Sequence, residues 1–107
     1  MFETRTVRRV VVIVDASLKD QLLEQFTALG ATGYNFTACG GKGTHAITGN
    51  PFDSMKLVRI ELLASHEVAA AILDYIHGVQ FQQFGRYALA AFTDIVEVDM
   101  RDRSLCG

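Results

Sequence analysis

Three glycines and a lysine stand together at Gly40-Gly41-Lys42-Gly43, inside "CGGKGT", a segment that reads neither as helix nor as strand. Successive glycines let backbone N–H groups turn inward and approach an anion without interference from a Cβ, and a lysine beside them adds a point charge. The segment is not a Walker A loop, which needs GxxxxGK[ST] leading into a helix, and it is not the dinucleotide fingerprint. On the residues alone, two accounts stay open: a flexible turn carrying a solvated lysine, or a cradle for a small anion. A second glycine-and-cation element, "FGRY", holds Gly85, Arg86 and Tyr87 where the chain enters its last strand. "MRDRS" adds Arg101 and Arg103, alternated with acids, which suit either a self-neutralised solvated tail or an anion contact.

Catalytic chemistry finds less support. His45, His66 and His77 are scattered over a loop and a helix, and none has a histidine or carboxylate at i+4 on a common face to suggest a metal pair. Solvated or packed side chains account for them, and only His45, in the longest loop, stays of interest. No nucleophile, base and orienting group can be named together. Cys39 and Cys106 have no CxxC spacing and are too few for a disulfide framework or a zinc site.

The elements that would position these residues follow from periodicity. The chain has 107 residues, half of them apolar, which suits one domain with one core. Its formal charge of −2, from 10 Lys+Arg against 12 Asp+Glu, provides no basic field for nucleic acid, so an anion site has to be local. No apolar run approaches the roughly 20 residues of a membrane span, and a cytoplasmic protein is expected.

"VRRVVVIVD" (Val7 to Asp15) is dense in β-branched residues and reads as a central strand. Ser17 is the expected cap of a helix whose inner face carries Leu18, Leu22, Phe26 and Leu29, with Gly30 as its stop. "GYNFTAC" alternates, with Tyr34, Phe36 and Ala38 opposed to Asn35, Thr37 and Cys39. Periodicity is then lost from Gly40 to Ser54, a loop long enough for a functional role to be expected. "MKLVRIELLA" is a third strand. Ser65 caps a second helix with inner face Val68, Ile72, Tyr75, Ile76 and Val79, ending near Gly78. "VQFQQFG" reads as a connector and "RYALAAFTDIVEVDM" as a fourth strand. The order βαββαβ predicts an α+β, ferredoxin-like sandwich: a four-stranded antiparallel sheet with both helices on one face. The other face would expose Leu57, Leu63 and Cys39, and oligomerisation would cover it.

"GATGYNFTACGGKGTH", the long loop after it, "KLVRIELLA", "FGRYALAAFTDIVEV" and the "CG" ending together resemble the PII signal-transduction superfamily over nearly the whole chain. The likeness is greatest to its PII-like members associated with carboxysomes and bicarbonate uptake. The resemblance implies a homotrimer with adenine nucleotide in the clefts between neighbours, and a T-loop after the second strand that rearranges and docks on a partner. Carried over residue by residue, Gly40, Gly41, Lys42, Gly43 and Thr44 would hold the phosphate side. Gly85, Arg86 and Tyr87 would come from the loop before the last strand, and Asn35 and Thr37 would face the adenosine; Arg101 and Arg103, the possible anion contacts of the tail, join them as candidate nucleotide-binding residues. Bicarbonate would be a co-ligand held by Gly41, Lys42 and Gly43, and a bicarbonate transporter or carboxysome component would be the partner, with no nucleic acid involved.

The chain also departs from the pattern. Nitrogen-sensing members have a threonine where this sequence has Asn35, and a uridylylated tyrosine with no counterpart between Gly43 and Asp53. Their triphosphate-clamping arginines align with Glu97 and Asp99, so AMP or ADP is expected in preference to ATP. The second cysteine that closes a redox loop in bicarbonate-transport regulators has no equivalent beyond Cys106-Gly107, and such a switch is not expected.

A non-catalytic sensor is therefore the leading expectation. The alternatives are a slow nucleotide hydrolase using the same site, with Asp53 and Glu61 as its available carboxylates, and a trimeric ferredoxin-like module for a metal ion or an amino acid.

Overall fold

The computed structural model describes residues 4–41, 55–82 and 89–99. Their order is β1 (Arg5–Asp15), a short 3-10 turn (Ala16–Leu18), α1 (Lys19–Ala28), β2 (Asn35–Gly41), β3 (Met55–Ala64), α2 (His66–Gln82) and β4 (Leu89–Val98). The four strands form one antiparallel sheet in the order β2-β3-β1-β4. This is the ferredoxin-like α+β sandwich expected from the periodicity.

β1 is central because its sequence tolerates burial along its length. Val10, Val12 and Val14 are fully buried on the face that receives Leu18, Leu22, Leu23 and Phe26 from the first helical segment and Ala69, Ile72 and Ile76 from α2. Val58, Ile60, Leu62 and Ala64 of β3 complete this core from the strand beside β1. Both helices thus lie on one face of the sheet. Where they meet, Phe26 and Tyr75 pack edge to face, with ring centroids 6.5 Å apart.

The helix ends are set by local hydrogen bonding. The first turn is capped by Asp15 rather than by Ser17: the backbone N–H and the hydroxyl of Ser17 both donate to Asp15 Oδ1, at 2.9 and 2.7 Å. A carboxylate accepts both donors at once, so it outcompetes the serine for the cap. Ser65 caps α2 as expected, accepting from the Val68 N–H at 3.2 Å. α1 closes with two reversed hydrogen bonds, Ala31 N–H to Phe26 O at 3.0 Å and Gly30 N–H to Thr27 O at 3.1 Å. This Schellman arrangement requires a left-handed residue, which Gly30 supplies at φ 113°.

Expected boundaries move: β1 starts two residues earlier, at Arg5, β2 starts two later, at Asn35, and two elements run on past their expected ends. α2 does not end near Gly78 but runs on to Gln82, taking in the first residues of the expected connector. One glycine costs a helix about 1 kcal/mol, too little to stop it without a following breaker. β2 does not end at Cys39: Gly40 and Gly41 continue it, paired with Lys56 and Met55 of β3. Neighbouring strand backbone outweighs the weak strand preference of glycine there. The connector from residue 83 to 88 and the tail from residue 100 lie outside the described residues.

The two helix-linked glycines should respond oppositely to alanine. A Cβ on Gly30 would meet Val68 Cγ2 at 3.1 Å in a left-handed conformation, whereas one on Gly78 would meet nothing within 4 Å. Gly30→Ala is expected to lower unfolding stability by about 1–2 kcal/mol and Gly78→Ala to raise it by about 0.5–1 kcal/mol, as read by urea denaturation.

Candidate functional site

The sheet register assigns every strand residue to one of two faces, because directly paired residues point the same way. On the face away from the helices, Asn35 lies opposite Glu61, Thr37 opposite Arg59 and Cys39 opposite Leu57. One strand further in, Glu61 is opposite Val11, Arg59 opposite Ile13 and Leu63 opposite Arg9. Beyond β1, Arg9 is opposite Asp94, Val11 opposite Phe92 and Val7 opposite Val96. Leu57, Leu63 and Cys39 therefore do occupy the uncovered face, as the alternation required.

A chain of alternating charge crosses this face. Arg9 grips Asp94 with two parallel hydrogen bonds, Nε to Oδ1 at 2.9 Å and Nη2 to Oδ2 at 2.6 Å. Arg59 Nη2 donates to Glu61 Oε2 at 3.3 Å, and Glu61 adds to the field that favours charged Arg9. The bidentate bond from Arg9 holds the Asp94 carboxyl below its ordinary pKa of 3.8, against a smaller opposing effect of desolvation. Sequence reading singled out neither Arg9, Asp94 nor Arg59. Their signal was parity: Arg9 and Arg59 sit one residue out of phase with the core positions Val10 and Ile60.

Asn35 and Thr37 are exposed on this same face, and β2 carries them directly into Gly40 and Gly41 at its end. These four are the expected site residues that the described structure brings onto one strand. Lys42, Gly43, Thr44, His45, Asp53, Gly85, Arg86, Tyr87, Arg101, Arg103 and Cys106 lie outside the described residues. The two acids expected to repel a triphosphate differ in placement: Glu97 is exposed at the end of β4, where the Thr4 hydroxyl donates to it, and Asp99 follows just past the strand. His66 accepts a hydrogen bond from Arg8 Nε at 3.2 Å, which gives it a structural partner at the start of α2. Among the described residues no three His, Cys, Asp or Glu side chains gather as a metal site, and no helix is long and apolar enough to cross a membrane.

The arrangement offers a sheet face with hydroxyl, amide, carboxylate and guanidinium groups beside a strand end that leads into a glycine-lysine segment. It provides hydrogen-bonding groups for a polar ligand, and no activated nucleophile is assembled among the described residues. A family model for nitrogen regulatory protein P-II matches residues 7–99. The chain belongs to the P-II family. Among solved structures, it is similar to a PII-like signalling protein of Thermus thermophilus, with 28% identity and a TM-score of 0.70 over 90% of this chain and 91% of that one. It is also similar to the CPII protein of Thiomonas intermedia. The form bound to ADP and bicarbonate aligns at 18% identity and a TM-score of 0.75, covering 94% of this chain and 95% of that one. The form bound to ADP, AMP and acetate aligns at 17% identity and 0.77, covering 98% and 99%. At these identities the CPII likeness is one of fold. A search of curated proteins finds no match by sequence. The P-II fold thus accounts for the sheet order, the one-sided helix layer and the long connection between β2 and β3.

The Arg9–Asp94 pair sets an acid dependence. Asp94 has a lower pKa folded than unfolded, so its contribution to stability is fully present above the ordinary carboxylate value of 3.8 and is lost as pH falls through the folded value. The stability gap between wild type and Asp94→Asn should therefore shrink as pH is lowered from about 6 to about 2.5, measured by urea unfolding at each pH. A gap that is constant over that range would show that folding does not lower the Asp94 pKa.

Proposed function

We propose that this protein is a non-catalytic, PII-like sensor of the bicarbonate-linked branch. It assembles as a homotrimer and binds ADP or AMP in the clefts between subunits. The observation that carries this reading is the run of β2, which presents Asn35 and Thr37 on the uncovered sheet face and leads straight into Gly40-Gly41 and Lys42. The CPII structures with ADP, AMP and bicarbonate support the ligand class through the shared fold.

In this reading, Asn35 and Thr37 contact the adenosine. Gly40 to Thr44 cradle the phosphate side, with Lys42 as its counter-charge, and Gly85, Arg86 and Tyr87 close the cleft. Bicarbonate sits beside the phosphate on Gly41, Lys42 and Gly43. Arg101 and Arg103 reach phosphate from the tail. Glu97 and Asp99 oppose a longer polyphosphate, which favours AMP and ADP over ATP. Ligand then biases the loop at 40–54 between conformations, and the preferred one changes affinity for a bicarbonate transporter or carboxysome component. The function needs a difference in ligand affinity between loop states and no bond-breaking step.

Equilibrium titration by calorimetry tests this. AMP or ADP is expected to bind more tightly than ATP and to bind more tightly still with bicarbonate present. Lys42→Ala is expected to weaken binding about tenfold or more, through loss of a charge-assisted hydrogen bond. Absence of binding at millimolar nucleotide would overturn the reading.

A further inference from the structure

The helix side of β2 carries aromatic rings that the core does not take in. Phe36 is paired with the core residue Ile60, yet Phe36 is 48% exposed and Tyr34, two residues before it, is 45% exposed. β2 is an edge strand, and the core draws on β1 and β3 but on no residue of β2. The two rings pack together, with centroids 6.4 Å apart and planes inclined at 31°, and form an open shelf beside α1.

Lys19, at the start of α1, shows what such a shelf holds. Its Nζ stands 4.2 Å from the Phe36 ring centroid and 3.6 Å from Asp20 Oδ1, so the cation is shared by a π face and a carboxylate. One step further along, the same two kinds of group recur. β1 and β2 both run antiparallel to β3, and α1, which joins them, runs back against both. Passing down α1 from Asp20 to Glu24 therefore goes the same way as passing from Phe36 to Tyr34. The step is about 6 Å on the helix, where residues four apart share a flank, and about 6.6 Å on the strand. Glu24 is exposed and has no ion pair among the described residues, and none of their cations stands over Tyr34.

Charge and size narrow the occupant. Lys19 is the single lysine or arginine of the two helices, against the carboxylates of Asp20, Glu24, Glu67 and Asp74, so this layer favours a basic visitor. The exposed halves of the two rings amount to roughly 150–250 Å², far below the ~800 Å² per partner of a stable dimer. The shelf is also open, whereas a pocket for a free small molecule encloses about 70–90% of it. A single basic side chain carried on a larger partner fits both limits.

We propose that Tyr34 and Glu24 are a docking site for an arginine of a partner peptide, whose guanidinium stacks on the Tyr34 ring while its N–H groups donate to the Glu24 carboxylate. Arginine suits the site better than lysine because its planar group can stack and form two parallel hydrogen bonds at once. Assembly through the uncovered face would leave this site outward. The inference does not rest on the nucleotide reading, since Tyr34 and Phe36 lie on the opposite side of β2 from Asn35 and Thr37.

Titration of the full chain with the capped pentapeptide Ala-Val-Arg-Val-Ala, followed by amide chemical shifts without nucleotide, tests this. Saturable shifts at Tyr34, Phe36 and Glu24 are expected at millimolar peptide, and the same peptide with Gln in place of Arg is expected to bind about fivefold or more weakly. Tyr34→Thr and Glu24→Gln are each expected to weaken binding about threefold or more, whereas Glu67→Gln, on the other helix, leaves it unchanged. Absence of shifts at the shelf, equal binding of the Gln peptide, or an equal loss in Glu67→Gln would overturn the site. Self-association, or cosedimentation with phosphatidylserine vesicles, that Tyr34→Thr abolishes would assign the shelf to another occupant and overturn the peptide. Thermal melts check that the variants stay folded. A failure to bind nucleotide would sink the sensor reading and leave this result standing.

Discussion

Val10, Val12 and Val14 reach full burial because β1 is hydrogen-bonded along both edges, to β3 on one side and β4 on the other. A strand held this way has its register set twice. A slip of one residue against either neighbour would carry the valines to the uncovered face and bring Arg9 into the helix-covered core. That penalty is what orients everything else. It places Ile60 and Val58 inward on β3, which in turn places Glu61 and Arg59 outward, and through the next pairing it turns Asn35 and Thr37 outward on β2. The face proposed for binding is thus the complement of the core, decided by residues that take no part in binding.

The two faces divide chemistry cleanly. On the helix side, the core is built of apolar side chains, with the Thr93 hydroxyl buried beside Val10, and no charged side chain of the described residues is buried. On the other side, apolar residues alternate with a line of opposed charges, Asp94, Arg9, Glu61 and Arg59. Val7 and Val11 lie on this second face and are nonetheless buried, whereas Phe92, also on it, remains half exposed. A mixed surface of this kind, with ion pairs already satisfied within one chain, can meet another subunit without leaving an unpaired charge behind. The guanidinium groups of Arg9 and Arg59 are thus each engaged by a carboxylate of the same chain.

Much of the fold was legible because its signals are periodic and local. Alternation located β2 and β3, β-branched density located β1, and the Ser65 and Gly30 signals marked real helix boundaries. The reading failed where two local preferences compete. Asp15 and Ser17 are both good caps, and only the backbone path decides that the carboxylate receives the donors. Gly78 reads as a stop, yet nothing after it breaks the helix before Gln82. Gly40 and Gly41 read as loop because glycine disfavours strands, and their pairing depends on Lys56 and Met55, distant in sequence.

Short-range periodicity and residue chemistry were enough for the order of elements, the inward and outward sets on each strand, and the type and spacing of the Gly40–Gly43 segment that carries the P-II likeness. Those signals survive without knowing which strands are partners. Which outward residues become neighbours was settled by the tertiary pairing alone. The Arg9–Asp94 grip joins residues 85 apart in sequence, and the Asn35–Glu61 and Thr37–Arg59 pairings follow from a register that no single strand encodes. The same pairing makes the first two glycines of the segment begin as strand rather than cradle, because a β-ladder is formed by two stretches of backbone together and is not a property of either one.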